Sequence, residues 1–161
     1  MTLVTTENVS WYLNDFGAER FLALLHVAFA DMEGRIDPPS SLHRLTEQEV
    51  NDFAADEILL GIEDEEHGLI ACLFASVRSD HFYLGKWAVH PEYQKMGCAT
   101  ALLEWVEETA ASYAVKKLIL ETRIELIENH ITFEKMGFVK TAETAHDGYN
   151  QSTSITMEKE L

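Results

Sequence analysis

Between an apolar segment that ends in Ala88-Val89 and a run of apolar residues at helical spacing lies Gln94-Lys95-Met96-Gly97-Cys98-Ala99. A helix that starts here leaves several backbone N–H groups without partners in the helix. Its aligned peptide dipoles add about half a unit of positive charge at the same end. Gly97, followed by small Cys98 and Ala99, leaves the approach uncrowded, so the chemistry these residues offer is the holding of a diphosphate by backbone groups. Lys95 adds a contact at the rim. The Gly-Lys-Ser/Thr of a P-loop is missing, and the glycines are too few for a dinucleotide fingerprint. An ordinary strand-to-helix turn is the alternative for this segment taken alone.

The rest of the composition bounds what such a loop can serve. The 161 residues suit one compact domain, 1–161, and 47% of them are hydrophobic, which excludes general disorder. The formal net charge is -16, so non-specific nucleic-acid binding through Lys and Arg is excluded. That charge does not forbid a bound phosphate, because salt screens charge beyond about 8 Å. Cys72 and Cys98 sit in apolar surroundings and read as buried, reduced thiols. No Cys/His pair shows zinc spacing, and no metal is expected. No apolar run is long enough for a bilayer, and "MTLVTTENVSWYL" lacks the features of a signal peptide. A cytoplasmic protein with no membrane partner is the expectation.

The elements that must position the loop follow from hydrophobic period and breakers. "VSWYL" is a first strand. Ala18, Phe21, Leu22, Leu25, Ala28, Phe29 and Met32 predict a helix from about Asp15 to Met32. Gly34, Pro38 and Pro39 then force a loop. Thr46 with Glu49 forms a capping box that starts a second helix at Glu47. "EILLGIED" and "GLIACLFASV" read as a buried hairpin around "EEHG", and "HFYLGKWAV" as the next strand, stopped by Pro91. A helix runs from Gly97 to about Tyr113 with Leu102, Trp105, Val106 and Tyr113 as its apolar stripe; Glu104, Glu107 and Glu108 face water. "KLILET" is a buried strand, "ENHITFEKMG" a short helix ended by Gly137, and "FVKTAETA" and "STSITMEKE" a last strand pair. The order βααβββαβαββ predicts an α+β fold: a mostly antiparallel sheet with helices on both faces. Its one strand–helix–strand crossover makes "FYLGKWAV" and "KLILET" parallel neighbours.

The segments "YLGKWAVHPEYQKMGCATALL", "LILET" and "FEKMGF", in this order, resemble the GNAT N-acetyltransferase superfamily. Its Gln/Arg-x-x-Gly-x-Gly/Ala signature corresponds to Gln94 through Ala99, and its Tyr-Glu-Lys-x-Gly-Phe run to Phe133 through Phe138. The resemblance implies a GNAT-like fold in which the parallel strand pair splays to admit acyl-CoA. It implies acetyl-CoA as co-substrate, its pyrophosphate on N–H groups of Gln94, Lys95, Met96, Gly97, Cys98 and Ala99, with Thr100 beside them. It extends the cofactor contacts to Trp87, Ala88 and Val89, whose N–H would face the thioester carbonyl, and to Phe133. The family's pantetheine-binding asparagine falls at Leu126, and Asn129, one turn later, is the substitute.

Two departures bear on catalysis. Where many relatives place a tyrosine beside the leaving sulfur, this chain has Phe133, which cannot donate a proton. Tyr149 in "HDGYNQ" is the candidate replacement; a plain loop aromatic is the other reading. The attacking amine needs a base. Glu121 closes an apolar run, where desolvation would raise its pKa, and His81 begins the central strand; a hydrogen-bonded strand-end residue and a turn residue are the alternatives. His90 and His130 carry no expected chemistry. The loop "MEGRIDPPSSLHRL" would wall the acceptor pocket. Its Asp37 offers a partner to an amine, while Arg35, His43 and Arg44 supply further polar heads, unless the loop is merely held by its own salt bridges. A small-molecule primary amine is the expected acceptor. A protein lysine or N-terminal acetyltransferase, a non-catalytic acyl-CoA-binding module and a nucleotide-binding regulator are the rivals, and a homodimer stays open.

Overall fold

The computed structural model describes residues 3–13 and 16–161. In chain order the elements are β1 (Val9–Tyr12), α1 (Ala18–Ala28), α2 (Glu47–Asp56), β2 (Ile58–Asp64), β3 (Gly68–Val77), β4 (Phe82–Val89), α3 (Cys98–Ser112), β5 (Lys117–Arg123), α4 (Ile127–Lys135), β6 (Val139–Thr144) and β7 (Ser154–Glu160). This is the order that the hydrophobic periods predict. The strands form one mixed sheet in spatial order β1-β2-β3-β4-β5-β7-β6. Among the described residues only β4 and β5 are parallel, as their crossover through α3 requires. Among the described residues no helix is long and apolar enough to cross a membrane.

The sheet has two covered faces. On one, α3 and Phe138 bury Leu60, Leu73, Phe82, Leu84, Leu118 and Leu120. On the other, α1 and α2 bury Leu59, Cys72 and Phe74 with Phe21, Leu25 and Val50. Covering both faces is why β2 and β3 read as near-continuous apolar runs. The capping box at α2 forms: Glu49 N–H donates to Thr46 Oγ1 at 3.2 Å, and Thr46 N–H donates to Glu49 Oε1 at 3.1 Å.

Two helix boundaries differ from expectation. The expected start of the first helix at Asp15 lies outside the described residues; α1 begins at Ala18 and ends at Ala28, and Ala30–Met32 is a separate 3₁₀ turn. The tighter winding turns the chain into the loop that Gly34 and the prolines impose. In α3 the buried stripe is Cys98, Ala101, Leu102, Leu103, Val106 and Ala110. Tyr113 lies beyond the helix end and is exposed, and Trp105 is half-buried, edge-on to Trp11 with centroids 5.8 Å apart. Leu102 and Val106 of the expected stripe are buried, together with the small Cys98, Ala101 and Ala110, while Trp105 is only partly so and Tyr113 is not.

The feature that matters for function is where β4 and β5 stop pairing. They pair at Phe82↔Leu118, Tyr83↔Ile119 and Leu84↔Leu120, and no further. On its other edge β4 pairs with β3 at Phe74↔Gly85 and again at Cys72↔Ala88, so Lys86 and Trp87 together oppose Leu73. This is a β-bulge, with Lys86 in the left-handed region at φ 46. A bulge bends its strand. Meanwhile β5 is held straight by β7 from Lys117↔Glu160 to Arg123↔Ser154. The two strands therefore diverge.

Close packing elsewhere is unforgiving. A Cβ at Gly61 in β2 would meet Leu69 Cδ1 and Tyr12 Cε2, each at 2.7 Å. Gly61→Ala is expected to cost about 1–3 kcal/mol, read as a lowered urea midpoint with unchanged slope; an unchanged midpoint would refute the packing described.

Candidate functional site

The divergence of β4 and β5 opens a cleft with two chambers. One, about 530 Å³, runs from the start of α3 to α4; the other, about 340 Å³, opens between β4, β5 and the loop before α2. Phe29, Met32, Trp87, Leu126, Asn129 and Phe133 line both, so the chambers are continuous. Trp87 and Phe133 form the waist, with ring centroids 5.5 Å apart.

The larger chamber is lined by the start of α3 and the turn before it. Gln94, Lys95, Gly97, Cys98, Ala99 and Thr100 line it. Lys95 at φ 67 and Gly97 at φ 89 are both left-handed, the backbone conformation from which anion-binding nests are built, and the first turn of α3 leaves N–H groups without helical partners. The Cys98 thiol is buried and its pKa raised by that burial, so this residue contributes its backbone. Met96 is not part of the wall: its carbonyl accepts the Val4 N–H at 3.0 Å and its side chain packs on the core. The space at Gly97 also has a structural use, because a Cβ there would sit 3.2 Å from the Val4 carbonyl. Tyr93, which sequence reasoning passed over, lines this chamber and anchors the turn by donating to Asp64 Oδ1 at 2.9 Å.

Val89 and Ala88 line the same chamber. The His90 N–H donates to Ile70 of β3 at 2.7 Å. Alternate N–H groups of a strand point to opposite edges, so the Val89 N–H points into the opened gap.

The smaller chamber carries the other polar groups: Tyr83, Lys86, Glu121, Arg123, Ser40, Ser41 and His146. Glu121 is exposed, and the desolvation expected for it is absent. Along β5, Leu118, Leu120 and Thr122 are buried while Glu121 between them points to the opposite face, which α1 and α2 leave open here. Burial, then the negative charge of Glu121, hold the Tyr83 phenol above its ordinary range, so it stays a neutral hydroxyl.

Other candidates from the sequence lie elsewhere. His81 sits before the first residue of β4, at the end away from the cleft, with Nδ1 2.6 Å from Asp80 Oδ1. The Tyr149 hydroxyl donates to Asp37 Oδ1 at 2.5 Å, and neither residue lines a chamber. His43 faces a separate hollow and pairs with Glu33 at 3.2 Å. Arg35 lines the larger chamber but is engaged by Glu128 at 2.6 Å. Together with Asp37 N–H donating to Glu125 at 2.9 Å and Arg123 donating to the Pro38 carbonyl at 2.7 Å, these contacts fasten the proline loop to β5 and α4. The loop is held by salt bridges and hydrogen bonds, mostly to partners far along the chain. Ser40 and Ser41 belong to the loop expected to wall the pocket, whereas Lys86, Arg123 and His146 carried no sequence signal for the cleft, since a bulge and long-range pairing bring them there. Among the described residues, Asp64, Glu66 and His67 bring three possible metal ligands together in the β2–β3 turn, none of them lining either chamber.

The profile of the Acetyltransferase (GNAT) family matches residues 19–138. Among solved structures, PaiA N-acetyltransferase from Thermoplasma acidophilum in complex with coenzyme A is similar, with a TM-score of 0.76 and 14% identity over 95% of this chain and 99% of that one. A GNAT family acetyltransferase from Elizabethkingia anophelis with acetyl-CoA bound gives 0.66 and 19% over 96% and 99%. An aminoglycoside 6'-N-acetyltransferase complexed with coenzyme A gives 0.70 and 15% over 94% and 96%. At these identities the likeness is one of fold. No curated protein sequence matches.

The turn at Gly97 has a consequence that needs no ligand. Gly97→Ala places a side chain at φ 89 and against Val4, and is expected to lower stability by about 1–2 kcal/mol. Chemical denaturation of the ligand-free protein checks this; wild-type stability would mean that Val4 and the turn can shift freely.

Proposed function

Because the chain belongs to the acetyltransferase (GNAT) family, we propose that residues 1–161 act as one acetyl-CoA-dependent N-acetyltransferase domain. It moves the acetyl group to a primary amine of a small molecule by direct attack in a ternary complex. The observation that carries this is the gap beyond Leu84 and Leu120, which joins an anion-holding helix start to a chamber with an exposed carboxylate.

The residues present fit acetyl-CoA. N–H groups of Gln94, Lys95, Gly97, Cys98 and Ala99 suit a pyrophosphate, with the Lys95 side chain at the rim. The waist of Trp87 and Phe133, with the amide of Asn129, suits a thin amphipathic arm. When bound, acetyl-CoA supplies an electrophilic thioester carbonyl and a thiolate leaving group. The Val89 N–H provides a fixed donor for the carbonyl oxygen as negative charge develops on it. Glu121 accepts a hydrogen bond from the incoming ammonium and takes its proton. Holding both partners across one waist supplies proximity. No side-chain acid is needed at Phe133, since a thiolate is a tolerable leaving group near neutral pH. Tyr149 is spent on Asp37 and serves the strap. The fastened proline loop favours a small amine over a peptide, which would need an open groove.

Acetyl-CoA at 100 times its dissociation constant is expected to stabilise the protein by about 2.7 kcal/mol, visible as a raised melting temperature. Ala99→Glu should abolish the rise while leaving the ligand-free melt intact, because glutamate is favourable in the first turn of a helix yet repels phosphate. A preserved rise in this variant would remove the α3 start as the anchor.

Glu121→Gln should cut turnover by about a hundredfold or more with the acetyl-CoA shift retained. Tyr149→Phe should cost less than about tenfold, or ~1.4 kcal/mol of barrier. The reverse ranking would assign proton transfer to Tyr149. Binding of acetyl-CoA without turnover of any amine would leave an acyl-CoA-binding module.

A further inference from the structure

The smaller chamber is charged against the trend of the molecule. The chain carries a formal net charge of -16, yet the chamber wall holds two cations, Lys86 and Arg123, and one carboxylate, Glu121. Elsewhere among the described residues, Arg20, Arg35, Arg78, Lys117, Lys140 and Lys159 each sit against a carboxylate, while Arg44, Lys95, Lys116 and Lys135 do not and lie outside this chamber. Lys86 and Arg123 have no such partner among the described residues. Arg123 donates to the neutral carbonyls of Pro38 and Pro39 at 2.7 and 3.3 Å, so its charge is oriented but not balanced. Glu121 likewise has no cationic partner among the described residues.

The placement of Lys86 is a product of the bulge. In a regular strand Lys86 would follow Gly85 onto the face that buries Leu84. At φ 46 it is turned to the other face, its Nζ 5.5 Å from the centroid of Phe74, which belongs to the α1–α2 side. A non-glycine residue in this conformation is costly and is kept where the surroundings enforce it. The same distortion that opens the cleft thus aims a cation into the acceptor chamber.

We propose that the acceptor is an amine that carries its own carboxylate, an amino-acid-like zwitterion, with its ammonium at Glu121 and its carboxylate between Lys86 and Arg123. This rests on the acetyl-transfer function above. It specifies the substrate class, because a polycationic amine would meet two unbalanced cations in the same chamber.

The test compares α- and ω-amino acids with their carboxamides as acceptors of acetyl-CoA; the ω-series keeps amine basicity closely matched. The best acceptor is expected to be a carboxylate-bearing amine, with its amide at least about tenfold poorer in kcat/KM, the scale of a charge-assisted hydrogen bond. In Lys86→Gln, and separately in Arg123→Gln, the acid-to-amide ratio should fall toward one. Amides or diamines that equal or exceed the acids, with turnover proceeding, would overturn the zwitterion and leave acetyl transfer standing. Thermal shifts of the CoA-saturated protein with the same pairs read the chamber without chemistry. A larger shift with the acids supports the assignment and equal shifts overturn it. Absence of turnover with every amine would instead overturn acetyl transfer.

Discussion

Opposite Leu73 of β3, two residues of β4 share the place of one. That surplus residue governs the molecule's usable geometry. It bends β4 away from β5 just past Leu84, while β7 keeps β5 in line along its whole length. A gap inside a sheet leaves backbone donors and acceptors unmatched. One of them, the Val89 N–H, therefore faces an interior channel and not a neighbouring strand. The cleft is a break in a ladder, not a hollow carved among side chains.

Everything around this break keeps it open and supplied. The turn after β4 is tied at three points: Tyr93 to Asp64, Met96 to Val4, and Gly97 through its left-handed backbone. These fix where α3 begins and hence where its unpaired N–H groups converge. The burial of Ala101, Leu102, Val106 and Ala110 then holds the helix against the sheet. Local dipoles at this point act over a few ångströms, so the acidity of the surface does not cancel them.

On the far side, distant segments are drawn together by a few polar contacts. Arg123 reaches Pro38 and Pro39, Arg35 reaches Glu128, and Tyr149 reaches Asp37. The strap narrows access to the chamber that Glu121, Tyr83 and Lys86 share. Exposure of Glu121 within that chamber suits the proposed role, in which it takes a proton from an amine and passes it to water. A buried carboxylate in the same place would carry a desolvation cost in its charged form.

The sequence by itself determined the element order, the parallel pair, the capping box at Thr46 and the helix start at Gly97. These are written in period, breakers and small residues, which act over a few neighbours. It also singled out Glu121, and its family resemblance singled out Val89, Asn129 and Phe133, which the fold brings to one cleft. Period alone misled for Tyr113, which lies past the end of α3, and for Glu121, where an apolar run hid the alternation of β5. Tertiary structure alone decided the bulge at Lys86, the strap across the proline loop, and the separation of His81, His43 and Tyr149 from the cleft. Each of these depends on pairing register or on side chains far apart in the chain. A one-residue change of register moves a side chain to the other face, and no local pattern encodes it.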